Sequence, residues 1–335
     1  MGASNPGSPA RTARIGALLF AVAAFLVVSC STAPRTPDTV TDAKDRAAEY
    51  AEFGNRYFGE GNYEQALRFF ELALRENTSV DNRPGIAQTY NSIGNVYLAV
   101  GDIDTAESGF SSAYEIAVAI DDPRLLLQSA THLGEVALRR GDNALAMDFF
   151  ERALDQRNAE AQQTDLAILY HNIATVHSRT GDYGSAERYL SDATAINEKE
   201  GRLPELASNH YMLASVYSRQ ERYDEAFDEA GRALALDKQI ENSVGIAADL
   251  KALGLISAHR GEPERARDYL RRALQVAATV GLVPQAQSIL DELARVADEL
   301  GLPGEADEYR EQRRLLDEQT GWAESAPASP AGEAE

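Results

Sequence analysis

Small and apolar residues recur along this chain with the three- and four-residue spacing of amphipathic α-helices. The clearest element of the pattern is a small residue that returns every 40 positions. It stands at Gly54, Gly94, Gly134, Ala174, Ala214, Gly254 and Ala294. Seven matches in one register, with no competing strand-like alternation, predict an array of seven helical repeats.

Each small residue is followed by a turn signal and by a second helical pattern. A glycine ends the first pattern in six repeats, at Gly61, Gly101, Gly141, Gly181, Gly261 and Gly301, whereas the fifth repeat has Glu221. The second pattern contains the alanine series Ala66, Ala106, Ala146, Ala186, Ala226, Ala266 and Ala306. Four positions later stand Phe70, Phe110, Phe150, Leu190, Ala230, Leu270 and Arg310. Because positions four apart share a helical face, the alanine lets the paired helix approach and the larger residue fills the space beside it. The pattern predicts an all-α chain of helical hairpins.

A period of 40 residues suits HEAT and armadillo arrays as well as tetratricopeptide repeats, whose usual length is about 34. The order of residues distinguishes these families. In the first repeat the order is Tyr50, Phe53, Gly54, Tyr57, Gly61, Tyr63, Ala66, Phe70 and Ala73, which resembles the tetratricopeptide repeat. The resemblance covers residues 46–316 and implies a right-handed α-solenoid. The long repeat is similar to the subclass found in kinesin light chain.

The amino-terminal segment has the features of a bacterial export signal. Arg11 and Arg14 precede an apolar run, Ile15 to Val28, that is too short for a stable transmembrane helix but suits a signal peptide. The run is followed by Ser29 and Cys30, which resemble a lipobox, whose cysteine becomes lipidated. We therefore expect cleavage after residue 29 and a bacterial lipoprotein as the mature chain.

Cys30 is the only cysteine in the sequence, so no disulfide can form within the chain. A plain signal peptide, or a short signal anchor, with an incidental cysteine is the alternative. Residues 30–45, rich in Ser, Thr and Pro, are predicted to form a flexible tether, and residues 317–335 a disordered tail. Ser31 after the cysteine favours the outer membrane, facing the periplasm, by resemblance to the enterobacterial sorting rule; the cell membrane is the alternative.

Charge and composition argue against several classes of function. The formal net charge is -21, which disfavours nucleic acid as a partner because phosphate binding needs a basic face. The histidines, at His132, His171, His177, His210 and His259, show no pair at the spacing that directs two imidazoles to one metal. No phosphate-binding loop, nucleophile elbow or cysteine–histidine arrangement is present. We expect no catalysis, no metal and no cofactor other than the covalent lipid on Cys30.

Function is expected instead from the concave groove that stacked hairpins create. The resemblance implies that groove side chains lie on the first helix of each hairpin. The predicted groove residues are Asn55, Asn91, Asn95, Gln128, Glu135, Arg139, His171, Asn172, Arg179, Tyr211, Arg219, Lys251 and His259. The set is rich in amides, which can pair with an extended peptide backbone, and in cations, which suit carboxylates.

Arg139, Arg179 and Arg219 occupy equivalent places in three consecutive repeats, and His259 continues the row. One interpretation is a ladder of cations that binds an anionic or carboxylate-bearing segment. The other is that each arginine only complements the dipole at the end of its helix. The seventh repeat is acidic instead, at Asp291, Glu292, Asp298 and Glu299.

Three functions remain open. The first, which explains the most features, is a non-catalytic envelope scaffold that binds a protein or peptide segment and contacts the membrane through its lipid. The second is a periplasmic capture protein for a small acidic ligand, or a transporter-associated component, which would need a partly apolar pocket. The third is an enzyme subunit. Ala51 stands where the carboxylate clamp of chaperone-binding arrays needs Lys, so a chaperone tail is not supported as the partner.

Overall fold

The structure is a computed structural model that describes residues 39–157 and 163–325. The predicted signal peptide and Cys30 lie outside the described residues. The described ranges contain 14 α-helices and no strands. They are α1 Thr39–Gly59, α2 Tyr63–Ser79, α3 Arg83–Val100, α4 Ile103–Ile120, α5 Pro123–Arg139, α6 Asn143–Asp155 and α7 Gln163–Thr180. The remaining seven are α8 Tyr183–Glu200, α9 Leu203–Arg219, α10 Tyr223–Gln239, α11 Ser243–His259, α12 Pro263–Thr279, α13 Val283–Glu299 and α14 Pro303–Ser325. None of these helices is long and apolar enough to cross a membrane.

Consecutive helices pair into seven hairpins, from α1–α2 to α13–α14, which confirms the predicted all-α solenoid. The first helix of every hairpin approaches the first helix of the next, with Cα atoms within 8 Å. Between the described second helices no such approach occurs. A stack in which one layer is closer than the other curves towards the closer layer. The first helices therefore line the concave face.

The core of five of the seven hairpins depends on the predicted pairing of a small and a large residue; the fifth has Ala230 and the seventh the exposed Arg310 at the large position. The bulky residue of the second helix is at most 1 % exposed at Phe70, Phe110 and Phe150. Its ring occupies the space that a side chain on the first helix would need, since a Cβ on Gly134 would overlap Cε1 of Phe150. Where the second helix carries the smaller Leu190, the first helix has room for Ala174.

The turn inside each hairpin uses a left-handed residue, as the glycine pattern predicted. In the third hairpin Gly141 has φ 80°, and the next residue, Asp142, accepts a 2.9 Å hydrogen bond from the backbone N–H of Leu145. This side chain caps the start of α6. In the fifth hairpin Glu221 adopts φ 61° instead, a conformation that costs a non-glycine residue about 1 kcal/mol. The fifth turn is therefore strained relative to the others.

Two element boundaries differ from the sequence predictions. Helix α1 begins at Thr39, within the predicted tether, because Ala43 and Ala47 are 2 % and 3 % exposed and pack its first turns against the hairpin. Helix α14 extends to Ser325, within the predicted tail. Arg314 forms ion pairs with glutamates three residues before it and four after it, and Leu316 packs against the apolar core of the last hairpins, so both kinds of contact support this end of the helix.

Candidate binding groove

Hydrogen bonds between neighbouring first helices fix several of the predicted groove residues. Asn91 Nδ2 donates to Ser129 Oγ over 3.2 Å and joins α3 to α5. Gln128 Nε2 donates to Asp165 Oδ2 over 2.8 Å and joins α5 to α7. Burial raises the pKa of Asp165, against the effect of this hydrogen bond. These side chains hold adjacent hairpins together.

Two further bridges lie along the same face. His171 Nδ1 lies 2.8 Å from Asn209 Oδ1, between α7 and α9. Lys251 Nζ donates to Ser288 Oγ over 2.6 Å, between α11 and α13. In the part of the chain that the structure describes, no side-chain hydrogen bond joins α9 to α11. This seam is therefore more open than the seams on either side of it.

The predicted amides differ in accessibility. Asn91 is 5 % exposed, and the Nδ2 of Asn172 is buried without a hydrogen-bond partner among the described residues. Asn91 is therefore not presented on the groove surface, and the Nδ2 of Asn172 is not available to a bound chain. Asn55 is exposed and Asn95 partly exposed, so these two amides remain accessible to a bound chain.

The arginine row does not form a uniform ladder. Arg139 pairs with Glu135, one turn earlier in α5, at 3.0 Å. Arg179 Nη1 donates over 2.7 Å to the carbonyl oxygen of Leu138, in the last turn of α5, which is the helix-dipole role extended to a neighbouring helix. Arg219 makes no ion pair or hydrogen bond with any described residue.

His259, the last member of the row, stacks on Tyr223 with ring centroids 5.2 Å apart. The acidic positions predicted at the end of the groove are ion-paired. Arg295 lies 2.9 Å from Glu292 and 2.5 Å from Glu299. Two arginines of α14 reach back to the aspartates of α13, which leaves the seventh hairpin less acidic than its sequence indicated.

A cavity of about 330 Å³ lies at the open seam between α9 and α11. Its rim carries Arg219, Lys251 and Tyr211. Tyr211 is 41 % exposed. Its other lining residues are small or apolar, at Ala214, Ser215, Ser218, Ala248, Ala252, Leu255 and Ile256. Three predicted groove residues are therefore brought together around an apolar floor.

The floor was not predicted, although the sequence carries a signal for it. Leu255 directly follows the small residue of its repeat. The equivalent residues of the other repeats are all polar, at Asn55, Asn95, Glu135, Thr175, Ser215 and Arg295. One apolar residue in an otherwise polar column marks the site of the cavity.

A buried carboxyl group lies near the cavity. Asp249, on α11, is 1 % exposed, and burial raises its pKa to about 8, with Asp237 adding to the increase. Tyr211 also has a raised pKa, caused by burial and then by Asp249. Asp237 accepts a 3.0 Å hydrogen bond from Asn242 Nδ2. At neutral pH Asp249 is therefore mostly protonated, and among the described residues neither it nor Asp237 forms an ion pair with a cation of the rim.

The histidines act in packing. Burial lowers the pKa of both His132 and His171, so that each is neutral at pH 7. His132 stacks on Phe110 with ring centroids 4.6 Å apart. His210 Nδ1 lies 2.5 Å from Glu229 Oε2 in a buried pair. Within the two described ranges, no three His, Cys, Asp or Glu side chains are grouped as a metal site.

Comparisons with known proteins place this architecture. No curated protein sequence matches the chain. The apo form of RapI has a TM-score of 0.67 at 14 % identity, over 82 % of this chain and 77 % of RapI. A Rap protein complexed with Competence and Sporulation Factor has a TM-score of 0.61 at 17 % identity, over 83 % and 76 % of the two chains. Kinesin light chain-like repeats from Podosopora anserina have a TM-score of 0.51 at 21 % identity, over 58 % of this chain and 96 % of theirs. These likenesses show the fold.

The family follows from the sequence match. The profile described as tetratricopeptide repeat matches residues 46–117, 125–199 and 205–279, which together exceed half of the chain. The matched segments cover hairpins whose turns, small–large pairs and stacked first helices have been described above. The chain belongs to the tetratricopeptide repeat family.

Proposed function

We propose that this chain is a non-catalytic scaffold of the bacterial cell envelope that holds a segment of a partner protein or peptide in its concave groove. The observation that supports this proposal most is that consecutive first helices contact each other in a continuous inner layer, while consecutive second helices do not contact each other on the outside. A continuous concave layer offers an extended binding surface. Its accessible amides and its uncompensated cations at the α9–α11 seam supply polar contacts to a bound chain.

The position in the envelope depends on the sequence alone. Lipidation of Cys30 would fix the chain to a membrane, with the outer membrane facing the periplasm favoured. Only eight residues separate Cys30 from the start of α1 at Thr39. Even fully extended, a segment of that length spans about 30 Å, so the first hairpin would stay close to the bilayer. The 40-residue spacing of equivalent helices supports assignment to the long-repeat subclass.

A position-specific crosslinking experiment tests the groove. A photoreactive residue at Asn95, on the concave face, should crosslink a partner in intact envelopes. The matched probe at Glu151, an exposed residue on the outer helix α6, should not crosslink that partner. Crosslinking of the same partner from Glu151 alone would contradict groove binding.

The anchor is tested by Cys30→Ser. We expect the variant to leave the membrane fraction or to accumulate as an uncleaved precursor, because no acceptor for lipid remains. Mass spectrometry of the wild-type protein should show lipid on an amino-terminal Cys30. A mature wild-type chain without lipid on that residue would contradict the proposed anchor.

A further inference from the structure

The seam between α9 and α11 combines three properties that no other described seam combines. It lacks a bridging hydrogen bond, it contains the 330 Å³ cavity, and its rim carries two cations. The two neighbouring seams are bridged by His171 with Asn209 and by Lys251 with Ser288. The groove is therefore accessible at depth at this seam.

The two cations of the rim form no ion pair with the described residues. Arg219 has no partner among the described residues, and Lys251 donates a hydrogen bond to the neutral hydroxyl of Ser288. The nearby carboxyl of Asp249 is kept protonated by burial at neutral pH. By contrast, Arg139 is matched by Glu135 at the equivalent end of α5. The rim thus retains two positive charges for a ligand.

The chemistry of the cavity specifies what would fill it. A guanidinium group binds a carboxylate through two parallel hydrogen bonds, and an ammonium group adds a point charge. The floor around Leu255 and Ile256 favours an apolar group, which releases water when it is buried. A ligand with a carboxylate next to an apolar side chain satisfies both surfaces.

The position of the cavity favours a side-chain carboxylate over a chain terminus. The concave layer continues on both sides of the seam, through the first helices α7, α5, α3 and α1 in one direction and through α13 in the other. A segment that lies along this layer would therefore pass through the seam and continue beyond it. A carboxylate that reaches the rim from a continuous segment belongs to Asp or Glu.

We propose that Arg219 and Lys251 determine the specificity of the groove by binding an Asp or Glu side chain of the partner segment, while the floor around Leu255 binds an apolar side chain next to it. This inference rests on the proposed groove-binding function. It adds the chemical class of the segment and the place where it is recognised.

A peptide selection tests the inference. The full chain would be incubated with a randomised library of dodecapeptides, acetylated and amidated at their ends, and bound sequences would be read. We expect enrichment of Asp or Glu next to a large apolar residue. The enrichment should be lost with the double substitution Arg219→Gln and Lys251→Gln. It should be kept with Arg139→Gln, the matched control at a paired arginine.

A selected peptide gives the quantitative test. Replacing its acidic residue by the corresponding amide should weaken binding to the wild-type protein about tenfold or more, because a charge-assisted contact is lost. The same replacement should change binding to the double variant little. Peptides that bind without acidic preference, or whose preference survives in the double variant, would overturn the inference and leave the groove function standing. A preference for free carboxyl-terminal peptides over amidated ones would also overturn it. Failure to enrich any peptide above a heat-denatured control would overturn both proposals.

Discussion

The groove in hairpins three and four is built differently from the groove in hairpins five and six. In the former, Arg139 pairs with Glu135 and Arg179 donates to the carbonyl oxygen of Leu138, so both cations serve the array itself. In the latter, Arg219 has no partner among the described residues and stands at the rim of a cavity. The same repeat position thus carries a structural cation in one region and an available cation in the other. A repeated residue in a solenoid does not imply a repeated role.

The largest expected difference between the two regions is their response to alkaline pH. The pKa of Asp249 is about 8 in the folded protein against an ordinary 3.8, so the folded chain holds a proton that the unfolded chain releases. Stability should therefore fall as the pH rises from about 4 to about 8, by several kcal/mol. Asp249→Asn should remove most of that loss. Urea unfolding of both proteins at about pH 6 and about pH 9 measures it.

Native-state hydrogen exchange locates the effect. At alkaline pH we expect α10 and α11 to lose protection first. In hairpins three and four the contributions of His132 and His171 have the opposite sign, because burial lowers their pKa and their contribution to stability is lost as the pH falls below 6.5. The raised pKa of Asp165 in hairpin four acts in the same direction as that of Asp249. Equal loss of protection in all hairpins at alkaline pH would argue against a local origin.

The next effect concerns the tight core of hairpin three. Gly134→Ala should destabilise the protein by about 1 to 3 kcal/mol, since the new methyl group would overlap the ring of Phe150. The combined change with Phe150→Leu reproduces the Ala174 and Leu190 pair of hairpin four and should recover part of the loss. Thermal unfolding of the single and double variants measures both. A double variant less stable than the sum of its two single changes would refute the pairing rule.

A smaller effect separates the two arginines directly. Arg179→Gln should cost about 0.5 to 1.5 kcal/mol, because the hydrogen bond to Leu138 is lost. Arg219→Gln should change stability by less than about 0.5 kcal/mol, as for an ordinary surface residue. Denaturant midpoints of the two variants provide the comparison. Equal losses would mean that Arg219 also has a structural role.

The smallest effect is at the turn of hairpin five. Glu221→Gly should stabilise the protein by about 0.5 to 1 kcal/mol, because glycine adopts the left-handed conformation without steric cost. The reverse change at the equivalent turn of hairpin four, Gly181→Ala, should destabilise the protein by a similar amount. Differential scanning calorimetry compares the two. No change in either variant would show that neither turn limits stability.

The fold was predictable from the sequence because burial in a repeat array is itself periodic. In five of the seven hairpins the small residue that marks the register, such as Gly134, meets one large residue of the paired helix, so one physical constraint recurs along the chain. The turn glycines follow from the left-handed conformation that ends each first helix. The first turns of α1 were not predicted, because their support comes from two buried alanines in a polar segment.

The candidate site was only partly predictable. Arg139, Arg179 and Arg219 are equivalent in the sequence repeat. The partner of Arg139 lies one turn earlier in the same helix, and that of Arg179 lies in a neighbouring hairpin. Arg219 has no partner among the described residues. Such differences arise from tertiary neighbours that a periodic pattern does not encode. The burial of Asn91 has the same origin, because it depends on Ser129 of the next hairpin. Leu255 was the one departure from the column of polar groove residues that could have located the cavity.

The most direct test of this account is the dissociation constant of one selected acidic peptide for four proteins at low and physiological salt. The proteins are the wild type and the single variants Arg139→Gln, Arg179→Gln and Arg219→Gln. We expect Arg219→Gln alone to weaken binding, by about tenfold, and to reduce the salt dependence, because of the three arginines only Arg219 lines the cavity and has no partner among the described residues. Equal weakening of binding by all three variants would support a uniform ladder of cations instead. Unchanged binding in Arg219→Gln would contradict the account.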